Sequence, residues 1–155
     1  MTEGTLFENV GDYKQKISIV SIIQIKEGDF CYSVKEPDDV CKLLTEFLEN
    51  KDREYFVCLS LDSKGKVNNI STISIGSLWN AVVTPREVFK TAILSNAAQI
   101  IVAHNHPSGD ITPSVEDKAV TESLHQAGKI LGIEVLDHVV VGDGTYFSFK
   151  AHEMI

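Results

Sequence analysis

Apolar and polar residues alternate in two early stretches, KISIVSIIQI (16–25) and FCYSV (30–34), separated by KEGD (26–29). Alternation rich in β-branched residues predicts strands, and the Gly-Asp between them predicts a turn, so residues 16–34 form an expected strand pair. From residue 36 the period changes. Val40, Leu43, Leu44, Phe47 and Leu48 recur at helical spacing behind Pro37, Asp38 and Asp39, a helix-start composition. EYFVCLSLD (54–62) and VNNISTISIGS (67–77) are predicted strands joined by the turn SKGK (63–66). A second helix is expected from Thr84 to about Ser95, with Thr84 as N-cap, Pro85 as first helical residue and Glu87 as the capping-box acid.

AQIIVAH (98–104) is nearly all apolar, as expected for a central strand covered on both faces. Ser114 opens a third helix running to about Leu131, with Gly128 or Gly132 at its end. EVLDHVVVGDGTYFSF (134–149) predicts a hairpin around Gly142-Asp143-Gly144. Strands and helices mix without strict β-α alternation. The expected fold class is α+β, a mixed sheet flanked by helices. Residues 1–35 are expected to pack as an extension on the domain formed by 36–155.

Composition narrows the class. The chain has 155 residues, 43% hydrophobic and 23% charged, enough for one domain with a real core. No run of about 18 apolar residues occurs, so no membrane span is expected. The N-terminus MTEGTLFENV lacks a basic-then-apolar leader pattern, which places the protein in the cytoplasm as an expectation. A net charge of −8 opposes non-specific binding to a phosphate backbone, so direct nucleic-acid binding is expected to be weak or absent. Cys31, Cys41 and Cys58 show no CxxC spacing and are expected to be small buried hydrophobes.

The chemistry is concentrated in IVAHNHPSGDITPSVED (101–117). His104 and His106 are two apart at a strand's end, so their rings share one side while Asn105 faces the other. Two imidazoles side by side can reach one divalent ion. Pro107 stops the strand, and Ser108-Gly109-Asp110 lets the chain reverse. Asp117 falls in the first turn of the next helix, where its carboxylate can fold back. Ser114-x-x-Asp117 also has the form of a capping box, and Asp110 can be a turn residue alone. Two His and one carboxylate leave a fourth position for water, the pattern of a catalytic zinc. His125 is expected on the surface. His138 is expected to be a satisfied strand histidine, with a pocket-lining role open. His152 carries no assignment.

HNHPSGDITPSVED (104–117) resembles the metal motif of the JAMM metalloproteases, also called JAB or MPN: His-x-His, seven residues, Ser, two residues, Asp. TPREVFKTAILSNAAQIIVAHNHPSGD (84–110) and GIEVLDHVVVGDGTYFSF (132–149) resemble the bacterial RadC branch, and the likeness covers about residues 38–150. It implies a JAB/MPN fold, cytidine-deaminase-like. It implies one Zn2+ per chain held by His104, His106 and Asp117, with Ser114 helping to stabilise the transition state. The motif also has an upstream glutamate as general base. Glu87 is nearer in sequence, but helix capping accounts for it. Glu54 follows a helix and opens a strand, as the family's glutamate does, and is chosen. The implied activity is peptide or isopeptide hydrolysis of a protein or peptide substrate. The rival readings are a DNA-repair or DNA-processing accessory protein and a non-catalytic interaction module. The strand pair before residue 36 stands where RadC proteins carry a helix-hairpin-helix region, which weakens any inherited claim of DNA binding.

Overall fold

The computed structural model describes residues 37–48, 51–76 and 83–155. The strand pair expected at 16–34, the extension 1–35 and Cys31 lie outside the described residues. Eight elements follow in chain order: α1 (Pro37–Leu48), β1 (Tyr55–Leu61), β2 (Val67–Ile75), α2 (Pro85–Leu94), β3 (Gln99–Asn105), α3 (Val115–Leu131), β4 (Glu134–Gly142) and β5 (Thr145–Ser148).

The strands form one five-stranded sheet in the order β2-β1-β3-β4-β5. β3 pairs antiparallel with β1 and parallel with β4, and the outer pairs β1–β2 and β4–β5 are antiparallel. The sheet is mixed, as the pattern of elements predicts. β3 is its central strand, and Ile100, Ile101, Val102 and Ala103 are all buried.

Strand alternation sorts the core into two layers. On one face Val57, Leu59, Leu61, Ile101, Ala103, Val139 and Val141 pack with Val40, Leu43, Leu44 and Leu48 of α1. On the other, Phe56, Cys58, Ile100, Val102 and Val135 pack with Val88, Phe89 and Ala92 of α2 and Leu124 of α3. Helices therefore cover both faces. The Cys58 thiol is free and buried, and burial pushes it up to about 12.

Two termination signals behave as the sequence predicts. Gly132 caps α3 in the left-handed conformation at φ 69°, and Gly128 lies within the helix. The β4–β5 hairpin turns on Asp143 and Gly144, both at positive φ, which suits a two-residue turn with Gly in second place.

One expectation fails. Thr84 has the extended backbone of an N-cap, but its side chain makes no capping bond, so no capping box forms with Glu87. The Glu87 N–H is taken by the Thr84 carbonyl at 3.1 Å, which leaves the hydroxyl no donor there. Pro85 has no N–H to satisfy, so the helix start loses little. Glu87 sits exposed beside Arg86 at 3.9 Å.

Candidate metal centre

The site lies at the C-terminal end of β3. His104 follows Ile100 and Val102 on the α2/α3 face of the strand and is fully buried, its ring stacked near-parallel on Phe56. His106 comes one residue after the strand ends. Its Nε2 lies 3.0 Å from Nε2 of His104. The His106 Nδ1–H donates to the Asp110 carbonyl, so the turn that reverses the chain also orients the ring. Asp110 itself is the turn residue expected: its carboxylate accepts the Thr112 N–H at 2.9 Å, which holds it below the ordinary carboxylate range.

The turn is tight for a reason. Gly109 has φ +82°, and a Cβ there would collide with the Asp143 carboxylate. A Cβ on Gly142 would come within 2.5 Å of the Gly109 carbonyl oxygen. The loop after His106 thus packs on the β4–β5 hairpin at backbone distance.

α3 delivers Asp117. Oδ1 lies 3.3 Å from His104 Nε2, and Oδ2 lies 3.8 Å from His106 Nε2. The same carboxylate completes a capping box. Ser114 N–H and Ser114 Oγ–H both donate to Oδ2 at 2.7 Å, and the Asp117 N–H donates to Ser114 Oγ at 3.0 Å. The cap and the position beside the imidazoles are one arrangement, because the cap uses Oδ2 and leaves Oδ1 toward His104. Burial pushes this carboxyl up. The neighbouring His104 ring and the Ser114 donors outweigh burial and hold it well below the ordinary range. In this arrangement the Ser114 hydroxyl proton is already given to Asp117.

Glu54 arrives from the strand beside β3. Phe56 pairs with His104, and the same register carried two residues back sets Glu54 opposite His106. Glu54 Oε1 lies 3.9 Å from His104 Nε2 with the side chain 16% exposed. One ligand atom each from Glu54, His104 and His106 falls within 4.8 Å of the others. Glu87 is not in this group.

Sequence reasoning missed two residues here. Asn105 does face away from the site, and it does work there. Its Oδ1 accepts the Tyr55 N–H at 2.8 Å, and its Nδ2 donates to the Arg53 carbonyl at 3.0 Å. It therefore clamps the backbone on both sides of Glu54. His138 is fully buried and lies 2.9 Å from His104 through Nε2 and Nδ1. Burial holds it well below its ordinary pKa. His125 is half-buried, and His152 is exposed, its Nδ1–H on the Ser148 carbonyl at 2.8 Å.

The donor set suits zinc. Two imidazole nitrogens and carboxylate oxygens are the ligand types zinc takes. Calcium and magnesium sites are built from oxygen. Two nitrogens about 2.0–2.1 Å from one tetrahedral ion stand roughly 3.3 Å apart, close to the 3.0 Å found here. Beside His106 opens a cavity of about 280 Å³, lined by Thr45, Leu48, Lys51, Asn105, Gly142 and Asp143 among others.

A mixed sheet between helices, with imidazoles and carboxylates gathered at the end of its central strand, defines a JAB domain. The chain belongs to the family of RadC-like JAB domains, whose model matches residues 34–154. It is 50% identical over 124 residues to a UPF0758 protein of Alkaliphilus oremlandii, covering 80% of this chain and 53% of the relative. It is 54% identical over 119 residues to one of Caldanaerobacter subterraneus, covering 77% and 51%. A UPF0758 protein of Bacillus cereus is 51% identical over 119 residues, covering 77% and 53%. The chain spans about half the length of these relatives. No described helix is long and apolar enough to cross a membrane.

Proposed function

We propose that this domain is a zinc-dependent hydrolase of the JAMM type that cleaves a peptide or isopeptide bond. The observation that carries the reading is the convergence of His104 Nε2, His106 Nε2 and the Asp117 carboxylate, with Glu54 Oε1 3.9 Å from His104. His104, His106 and Asp117 would hold the ion. When bound, zinc would supply an acidified water and a polarised carbonyl at neutral pH.

The other steps belong to this chain's residues. Glu54 takes a proton from the attacking water and hands it to the leaving amine, the work of a general base turned acid. Its position is held by strand pairing and by the Asn105 clamp on Arg53 and Tyr55. Ser114 keeps Asp117 aimed at the imidazoles, and it steadies a developing oxyanion only when its hydroxyl turns from Asp117.

The deciding experiment is elemental analysis of the purified chain, followed by hydrolysis of peptide and isopeptide-linked substrates. One zinc per chain, and cleavage abolished by a chelator and restored by zinc, are the expected results. A chain that takes up no zinc when dialysed against it overturns the reading.

A further inference from the structure

His138 stands on β4 with its ring stacked on Phe149 at 4.8 Å and edge-on to Phe56 at 5.5 Å. We infer that His138 and Thr121 are positioning residues that decide which nitrogen of His104 is free to hold a metal ion. The inference rests on the metal reading above.

The argument is a count of protons along one hydrogen-bonded chain. Thr121 Oγ1 lies 2.6 Å from the Asp117 carbonyl oxygen and 2.6 Å from His138 Nδ1. His138 Nε2 lies 2.9 Å from His104 Nδ1. A hydroxyl has one proton, and a carbonyl oxygen can only accept, so Thr121 gives its proton to Asp117. Thr121 then offers His138 only lone pairs, and His138 Nδ1 must carry the ring proton. A neutral imidazole has one N–H. His138 Nε2 is therefore an acceptor, and His104 Nδ1 must donate to it. That leaves His104 Nε2 without a proton, and this nitrogen faces His106 and Asp117.

The direction of the chain is set at the Thr121 end. Reversed, it would need a proton on His104 Nε2, and that nitrogen could not bind a metal. A second proton on His138 would have the same effect, and full burial among aromatic rings disfavours that charge. The chain starts on the backbone of one candidate ligand, Asp117, and ends on the ring of another, His104. Partners of this kind fix tautomer and ring orientation and raise a ligand's affinity.

The test uses the full chain, with and without zinc. Zinc affinity is measured by competition with a chromophoric chelator. Ring tautomers are read from long-range proton–nitrogen NMR. Thr121→Val keeps the shape and removes the hydroxyl, Thr121→Ser keeps the hydroxyl, and His138→Phe removes the acceptor from His104. We expect Thr121→Val and His138→Phe to bind zinc about 10- to 100-fold more weakly, and Thr121→Ser to bind like the unaltered chain. In the unaltered chain His138 and His104 should each carry the ring proton on Nδ1. Unchanged zinc binding by Thr121→Val, or a proton on His138 Nε2, overturns the inference and leaves the metal reading standing. An unaltered chain that takes up no zinc overturns both. If His138→Phe does not fold, the Thr121 pair and the tautomers still decide.

Discussion

Asp117 divides its carboxylate between two neighbours: Oδ1 lies 3.3 Å from His104 Nε2, and Oδ2 accepts the Ser114 hydroxyl at 2.7 Å. One side chain starts a helix and points at the candidate metal centre. Removing it therefore has two separable effects. Asp117→Ala should lose bound zinc and also cost about 1 kcal/mol of stability through the lost cap. Asp117→Asn, which can still accept from Ser114, should lose zinc affinity with less loss of stability. His104→Ala should lose zinc while the sheet persists, because strand pairing does not depend on the ion. Circular dichroism and metal analysis check both, and stoichiometric zinc in the double variant His104→Ala, Asp117→Ala would sink the ligand assignment.

Glu54 should behave unlike the ligands. Glu54→Gln is expected to retain zinc and to slow hydrolysis by roughly 10²–10⁴-fold, the range for a lost general base. Glu87, exposed on α2 and outside the site, should tolerate Gln with activity unchanged. Parallel rate and metal measurements on the two variants decide it. Loss of activity in Glu87→Gln with Glu54→Gln unaffected reverses the choice of base.

Gly128 sets helix propensity against space. Ala is favoured over Gly in a helix interior by about 1 kcal/mol. A Cβ at Gly128 would stand 2.5 Å from the Ile133 carbonyl oxygen, where the chain returns to hydrogen-bond the Gly128 carbonyl. That contact is with backbone, so the collision should win and Gly128→Ala should be less stable than the unaltered chain. Urea denaturation measures the difference, and a stabilised variant contradicts the account.

Asp137 supplies a pH dependence. Its buried carboxylate accepts from Ser148 Oγ–H at 2.6 Å, His138 N–H at 2.7 Å and Lys150 N–H at 2.9 Å. Burial outweighs these donors and raises its pKa above the ordinary value. A carboxyl raised in the folded state favours folding while protonated, and that contribution is lost as pH rises through the folded pKa. Asn carries no such charge. The stability of Asp137→Asn relative to the unaltered chain should therefore rise between acid pH, near the ordinary carboxyl pKa of about 3.9, and neutrality. Denaturation at both ends of that range gives the sign, and a relative fall with pH counts against it.

Nucleic-acid affinity should be poor. With a net charge of −8, few phosphates can be neutralised, and non-specific affinity scales with that number. Titration of labelled duplex and single-stranded oligonucleotides at physiological salt is expected to give dissociation constants on the order of 10⁻⁴ M or weaker. Submicromolar binding that is lost in His104→Ala would favour the DNA-processing reading over hydrolysis of peptides.

Local pattern sufficed for much of this molecule. The all-apolar run before His104 is the central strand, Ser114 caps α3, and Gly142-Asp143-Gly144 is a hairpin, because period and turn chemistry act over a few residues. Local pattern also set the two histidines on one side and Asn105 on the other. It did not show what Asn105 reaches, since its partners are 50 and 52 residues away. His138 looked like an ordinary strand histidine for the same reason. Only the parallel pairing of β3 with β4, which sets Val102 against His138, brings it beside His104. Thr84 misled in the opposite direction: the residue types of a capping box were present, but the Thr84 carbonyl had already taken the Glu87 N–H.

The candidate ligands His104, His106 and Asp117 lie within one short stretch of chain, at the end of β3, just past it and in the first turn of α3, and their side chains converge only once that strand and helix are packed together. The unfolded chain does not hold these side chains in that geometry, so an ion binds the folded state more tightly. Its binding energy is thus added to the energy of folding, by about 2.7 kcal/mol when free ion stands at 100 times its dissociation constant. If the domain holds such an ion, metal supply would bear on protein lifetime as well as on any catalytic rate. A cell short of the ion would carry a larger unfolded fraction exposed to proteases, and the amount of this protein would follow the metal even in a variant whose chemistry has been silenced.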